Sequence, residues 1–311
     1  RSQTQPVTPA PAEAPPAPVG SPQPFPLVLG IFDLSGVYTF PASVAGTSGS
    51  MASTFVTGRI APVIKASPRL YLSVPLDGSI SFYDFRGDPG LLPTAKGGPP
   101  WDQVRTFAIG LQGRYKVDDH WALLGEVNVA SAGARGSAFE DTISVGGTFG
   151  ARYQFSPDLN VGLLLTVQTR LARSLFILPV PAVEWVLPFD QGRWRLVAGG
   201  LRIGPGRTAG LGLNYTPIPQ LSLHTGLVLV GLGREFRLPS DSPIPNGVGR
   251  DSALPVLAGV DWRPTRLLHI TFWGGVSVQR VIAVLDSDGN IVRERDVSPS
   301  ALIGGTISLG L

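Results

Sequence analysis

The sequence predicts an all-β protein: a closed antiparallel transmembrane β-barrel of about fourteen strands, with short turns at one end and longer loops at the other. Three observations lead there. Period-2 alternation recurs along most of the chain, in runs longer than ordinary strands. The composition is hydrophobic and poor in charge, yet holds no uninterrupted apolar run near the roughly 20 residues a membrane helix needs. Short and long connections alternate between the strands.

The alternation is clearest in "DTISVGGTFGARYQF", Asp141 to Phe155. Ile143, Val145, Phe149, Tyr153 and Phe155 fall on one face, and Thr142, Ser144, Thr148, Arg152 and Gln154 on the other. Composition sets the surroundings of such strands. Of 311 residues 43% are hydrophobic but only 15% charged, well below the roughly 25% of a soluble domain. The 39 glycines and 30 prolines argue against long helices. The nearest candidate span, Phe176 to Phe189, is broken by prolines and by Glu184. A greasy chain without a membrane helix leaves a closed barrel, the other structure that satisfies every backbone group in lipid. There is no cysteine, which excludes disulfides and thiolate metal sites. A net charge of +3, scattered along the chain, does not suit nucleic acid.

Residues 1–29 stand apart, with nine prolines and no periodicity. They predict an extended tail, suited to tether the barrel or dock on a periplasmic partner. The barrel is expected over 30–311. The chain starts at Arg1 instead of methionine, as expected after removal of an export signal, and equally after a simple truncation.

The first strand is "FDLSGVYTF", with Phe32, Leu34, Tyr38 and Phe40 on one face. In "VRTFAIGLQGRYKV", Phe107, Ile109, Leu111 and Tyr115 oppose Thr106, Gln112, Arg114 and Lys116. In "HWALLGEVNVA", Trp121, Leu123, Val127 and Val129 oppose Glu126 and Asn128; in "TAGLGLNYT", Leu211, Leu213 and Tyr215 oppose Gly212 and Asn214. Short turns fall at 66–68, 117–119, 156–158, 189–192, 217–219 and 263–265. Longer connections are expected at 85–100, 132–140, 237–252 and 285–300, with tighter ones near 171–175 and 203–206. Six hairpins between Met51 and Asp286, a strand before them and "ALIGGTISLGL" after them make fourteen, an even number as bacterial barrels require. Twelve results if the first hairpin lies outside. Both chain ends are then on the short-turn side.

Aromatic residues cluster around the short turns: Tyr115, Trp121, Tyr153, Trp185, Trp194, Tyr215 and Trp262. Tryptophan and tyrosine favour the membrane interface, where a half-polar ring is half wet. A soluble secreted β-sandwich, the competing fold, would carry more outward charge.

Residues 32–311 resemble bacterial outer-membrane β-barrel proteins. The segments "ILPVPAVEWVLPFDQGRWRL", "LGLNYTPIPQLSL" and "VLDSDGNIV" more narrowly resemble a barrel family known only as domain of unknown function 6268. That resemblance implies a fold and a bacterial outer-membrane address with outer-membrane lipid as surroundings, but no reaction. The chain departs from the pattern in ending at Leu311, where such barrels usually end on an aromatic residue.

No motif predicts a cofactor, a metal or a catalytic centre. The three histidines, His120, His224 and His269, each follow a short turn, and His224 and His269 share the inward face. A lipid hydrolase built on one of them is the alternative function, and it needs a nucleophile beside the ring. "LDSDGN" has its glycine at the wrong place for a calcium loop and reads as a hairpin tip. "GPGRTAG" lacks the spacing and the helix of a nucleotide fingerprint. The charges that parity places in the lumen are Arg114, Lys116, Glu126, Arg152, Arg170, Glu184 and Arg195. Two outcomes follow: a filled, structural or anchoring barrel bridged by Arg–Glu pairs, or a narrow passive channel with weak anion preference.

Overall fold

In a computed structural model of the chain, the described residues are 27–92, 99–172, 175–201, 208–229 and 235–310. The strands are β1 (Leu27–Ser43), β2 (Ser50–Lys65), β3 (Leu70–Ser73), β4 (Leu76–Arg86), β5 (Gln103–Lys116) and β6 (Trp121–Ala134). Next come β7 (Ile143–Ser156), β8 (Leu159–Thr169), β9 (Leu175–Val186), β10 (Trp194–Leu201), β11 (Thr208–Ile218) and β12 (Leu221–Leu229). The chain finishes with β13 (Glu235–Arg237), β14 (Val248–Trp262), β15 (Leu268–Leu285), β16 (Ile291–Val297) and β17 (Ser300–Gly310).

All of them belong to one sheet, closed by antiparallel pairing of β1 with both β2 and β17. Three staves are interrupted. β3 and β4 both run along β5, β12 and β13 both along β14, and β16 and β17 both along β15. The result is a barrel of 14 staves, as the alternation of turns and loops predicts. A closed ring replaces the two packed sheets of the sandwich alternative. β1 begins at Leu27, three residues before the boundary drawn from composition, while the rest of the Pro-rich tail lies outside the described residues. Leu27 pairs with Ile64, and Gly310 with Ile31, so both ends of the barrel chain meet the short-turn end.

The outer wall is apolar. Ile143, Val145, Phe149, Leu163, Leu211, Phe272 and Ile303 are all exposed, and each alternates with an inward residue. The short turns are locally fixed. In the β5–β6 turn the Asp118 carboxylate accepts from the backbone N–H of Trp121 and of His120, both at 2.7 Å. Those two donors hold its pKa below the ordinary carboxylate value.

The loop end is not a simple rim. β13 pairs antiparallel with β14 and, through Arg237 and Gly133, parallel with β6. It therefore crosses the mouth from one wall to the other. On the far side β16 bonds the end of β1, with Val44 opposite Val297 and Ala45 N–H donating to Asp296 O at 2.8 Å. A second, narrower ring results, running β13–β14–β15–β16–β1–β2–β4–β5–β6 and leaving out β3, β7 to β12 and β17. Its interior is an apolar core that includes Met51, Tyr83, Leu91, Trp101, Phe236 and Ile282. The ring of Trp101 makes edge contacts with Tyr83, Phe85 and Phe236, at centroid separations of 5.9, 5.7 and 4.9 Å. The expected long loop at 285–300 is mostly strand: β16 folds back on β15 and builds part of this ring. Gly289 (φ +90°) makes the hairpin tip, and any side chain there would strike the Ala172 carbonyl, at 2.9 Å from a Cβ.

Candidate functional site: the barrel lumen

The register stacks the inner wall in rows. Nearest the short turns, His269, Ser308, Asp33, Arg59 and Asp77 are successive cross-strand neighbours from β15 round to β4. The next row is Asp261, Thr271, Thr306, Ser35, Thr57, Ser79 and Thr106. Its polar groups bond one another. Thr271 donates to Asp261 Oδ1 at 2.6 Å, Ser35 and Thr306 share a hydrogen at 2.8 Å, and Ser79 bonds Thr106. Above it, Trp273 and Val37 join Val228, Leu257 and Leu302 in an apolar girdle. Gly304 makes room there: a Cβ would overlap the Trp273 ring and the Gly36 carbonyl.

Beneath the girdle lies a cavity of about 450 Å³. Arg59, Asp33, Asp77 and His269 line it together with Arg263 and Arg266 from the β14–β15 turn. Arg59 Nη1 donates to both oxygens of Asp77, at 2.8 and 2.9 Å. Arg59 Nη2 is buried without an acceptor.

The charges that parity assigns to the lumen fall into separate groups. Glu184 bonds Arg195 at 2.7 Å and stands 3.9 Å from Arg152, bringing three of them together. Arg170 is not on a strand; it follows β8 at the loop end, where it lies 3.9 Å from Glu235 and over the Phe176 ring. Glu235, with 2% of its side chain exposed, also bonds Arg250 at 2.8 Å and accepts from Ala172 N–H at 3.2 Å. Lys116 turns to Asp119, 2.8 Å away. Arg114 is exposed near the short-turn mouth, and Glu126 faces Thr148 and Gln112 across its neighbours.

The aromatic residues assigned from sequence to the interface all sit at the short-turn end. Trp121 packs on Tyr153 (centroids 4.8 Å apart) and Trp194 on Tyr215 (4.6 Å). Tyr115, Trp185 and Trp262 are exposed there. The other two tryptophans, Trp101 and Trp273, are buried inside.

His224 and His269 meet on one carboxylate. His224 Nδ1 is 3.8 Å from Asp261 Oδ2 and His269 Nε2 is 3.2 Å from Asp261 Oδ1. Among the described residues no hydroxyl is hydrogen-bonded to either ring, and no cluster of three or more histidines and carboxylates is placed to hold a metal. The arrangement lacks the nucleophile–base pair that hydrolysis needs. Sequence parity puts both histidines inside, but Asp261, Asp33, Arg59, Asp77, Glu235, Asp251 and Arg280 are not among the charges assigned to the lumen.

No family model matches the chain, so the narrower resemblance to domain of unknown function 6268 finds no support, and no curated protein matches. Solved structures do. One is a deletion mutant of TodX, described as a monoaromatic hydrocarbon channel: TM-score 0.53, 9% identity, 90% of both chains covered. A second TodX deletion mutant gives 0.50 at 10% identity, covering 91% of each chain. An outer membrane channel from Pseudomonas putida F1 covers 94% of this chain and 99% of its own at 11% identity, with a TM-score of 0.49. At such identities the likeness is one of fold. This chain has the fold of an outer-membrane β-barrel.

Proposed function

We propose that the protein is a passive, non-enzymatic channel of the bacterial outer membrane, with both ends of the barrel chain on the periplasmic side and a weak preference for anions. The observation that carries this is the contrast between the walls: apolar outside, and inside rows of hydroxyl and charged groups around an unfilled cavity. The channel fold of the TodX structures supports it, while the polar rows below the girdle give no reason to carry their hydrocarbon solute over to this chain. The anion preference rests on charge ratio. Glu184 serves both Arg152 and Arg195, Glu235 serves both Arg170 and Arg250, and Arg114 has no partner among the described residues. Each cluster therefore keeps an excess positive charge in a low-dielectric passage.

Reversal potentials in planar bilayers under a salt gradient test it. The expected sign is anionic, and the double substitution Arg152→Gln/Arg170→Gln should lower the preference without unfolding the barrel. Cation preference refutes the selectivity. A second reading follows from the apolar core at the loop end: a sealed, structural barrel whose tail, residues 1–29, holds a periplasmic partner. Absence of any conductance favours that reading.

A further inference from the structure

Beside the Arg59–Asp77 pair, the cavity under the girdle holds charges of both signs that have no ion-pair partner among the described residues. Arg263 and Arg266 make no ion pair among the described residues, and Arg59 Nη2 is buried without an acceptor. Asp33 lines the same space and makes no ion pair among the described residues, because its cross-strand neighbour Arg59 directs Nη1 to Asp77 on the other side. Asp33 on β1 and His269 on β15 are two staves apart, which is about 10 Å at the usual strand spacing. The turn bearing the two arginines immediately precedes β15. Ile31, Ala61, Leu267 and Leu268 add an apolar part to the lining, and Ser35, Thr57, Thr306 and Ser308 add hydroxyls. The volume, about 450 Å³, is within the range of small-molecule sites.

We propose that this cavity binds a small zwitterion of the free amino acid class. Its carboxylate faces Arg263 and Arg266, its ammonium faces Asp33, and an apolar side chain lies against Ile31, Leu267 and Leu268. The chemistry discriminates by mismatch. A simple anion meets the repulsion of Asp33 and Asp77, and a simple cation meets three guanidiniums. An uncharged solute displaces water from Asp33 and Arg59 without replacing its hydrogen bonds. Only a solute with both charges compensates both sides of the cavity. The proposal deepens the channel reading by naming the class of solute on the path.

The test uses the full chain in detergent and three probes with one carbon skeleton: L-leucine, 4-methylpentanoate (no ammonium) and 3-methylbutylamine (no carboxylate). Isothermal titration should show leucine binding at least about ten-fold more tightly than either analogue. Asp33→Asn should abolish leucine's advantage over 4-methylpentanoate. Arg263→Gln/Arg266→Gln should abolish its advantage over the amine. Both variants alter accessible residues, and unchanged heat-dependent gel mobility verifies their fold. Either analogue binding as tightly as leucine, or no saturable leucine binding, overturns the proposal; so does indifference to Asp33→Asn. Liposome swelling separates the two claims: binding without permeation by any solute refutes the channel and leaves the site, whereas leucine permeation without binding refutes the site alone.

Discussion

The ion pair beneath the loop-end core gives the sharpest test of whether that end is dry. Arg280, with 6% of its side chain exposed, donates from Nε and Nη2 to the two oxygens of Asp251 at 2.9 and 2.7 Å. Tyr83 donates to Asp251 Oδ2 at 3.0 Å, and Ser53 Oγ accepts from Arg280 Nη2 at 3.1 Å. Substituting Arg280→Met leaves the Asp251 charge facing Tyr83 without its bidentate partner. Removing one member of a buried pair costs about 3–5 kcal/mol, so Arg280→Met and Asp251→Leu should each destabilise by that amount. The two together should recover most of it, since well-packed apolar groups often replace a buried pair at little cost. Urea unfolding from phospholipid vesicles, followed by tryptophan fluorescence, reads the change; Trp101 is the reporter, with its ring in the same core as Tyr83. Single losses below about 1 kcal/mol, the range of solvated pairs, would show that water reaches this site and that the loop end is open.

Three further outcomes follow from the geometry. Phe149→Arg on the outer wall should cost about 2–4 kcal/mol in vesicles and Thr148→Arg, one residue away but inward, much less; equal costs in the unfolding assay would mean that the wall assignment is wrong. Trp273→Ala, at a position 4% exposed, should cost about 3–5 kcal/mol and raise conductance, and a folded variant with unchanged conductance would place the constriction elsewhere. Asp286 has its pKa lowered by the Asn290 side chain, then by backbone N–H groups of the same turn. Its contribution to the β15–β16 hairpin is therefore complete above the ordinary carboxylate pKa of about 3.9 and fades as pH falls through the lower folded value. The amide shifts of Asp288 and Asn290 should titrate in that acidic window, and Asp286→Asn should remove the titration.

Much of the barrel was legible in the sequence because lipid imposes a simple rule. Each outward residue must be apolar, so parity alone separates Phe149 from Thr148, and turn lengths alone count the staves. The lumen was less legible. Arg152, Glu184 and Arg195 share a face by parity, and their meeting requires only the pairing of β7 to β10. The cavity instead joins Asp33 and Asp77, on the first staves, to His269 on β15, and only closure through the β1–β17 pair makes the two ends of the chain neighbours. The loop-end core escaped for another reason. Trp101, Leu238 and Ile244 lie in irregular segments where no periodicity marks an inward residue, and β13 is three residues long. Nothing in "EFR" indicates that it bridges two walls.

That bridge fixes the order in which the molecule can be completed. Gly133 and Arg237, roughly a hundred residues apart, must both be in place before the narrower ring exists, and contacts of such sequence separation form slowly. Until the last stave arrives with β16, Trp101, Phe236 and their neighbours remain apolar side chains in an unfinished ring. A nascent barrel therefore presents a sticky surface on the side away from its chain ends, prone to self-association while assembly is under way. Shortening the delay between insertion of β6 and of β16 should matter more to the yield of folded protein than strengthening any hairpin formed earlier.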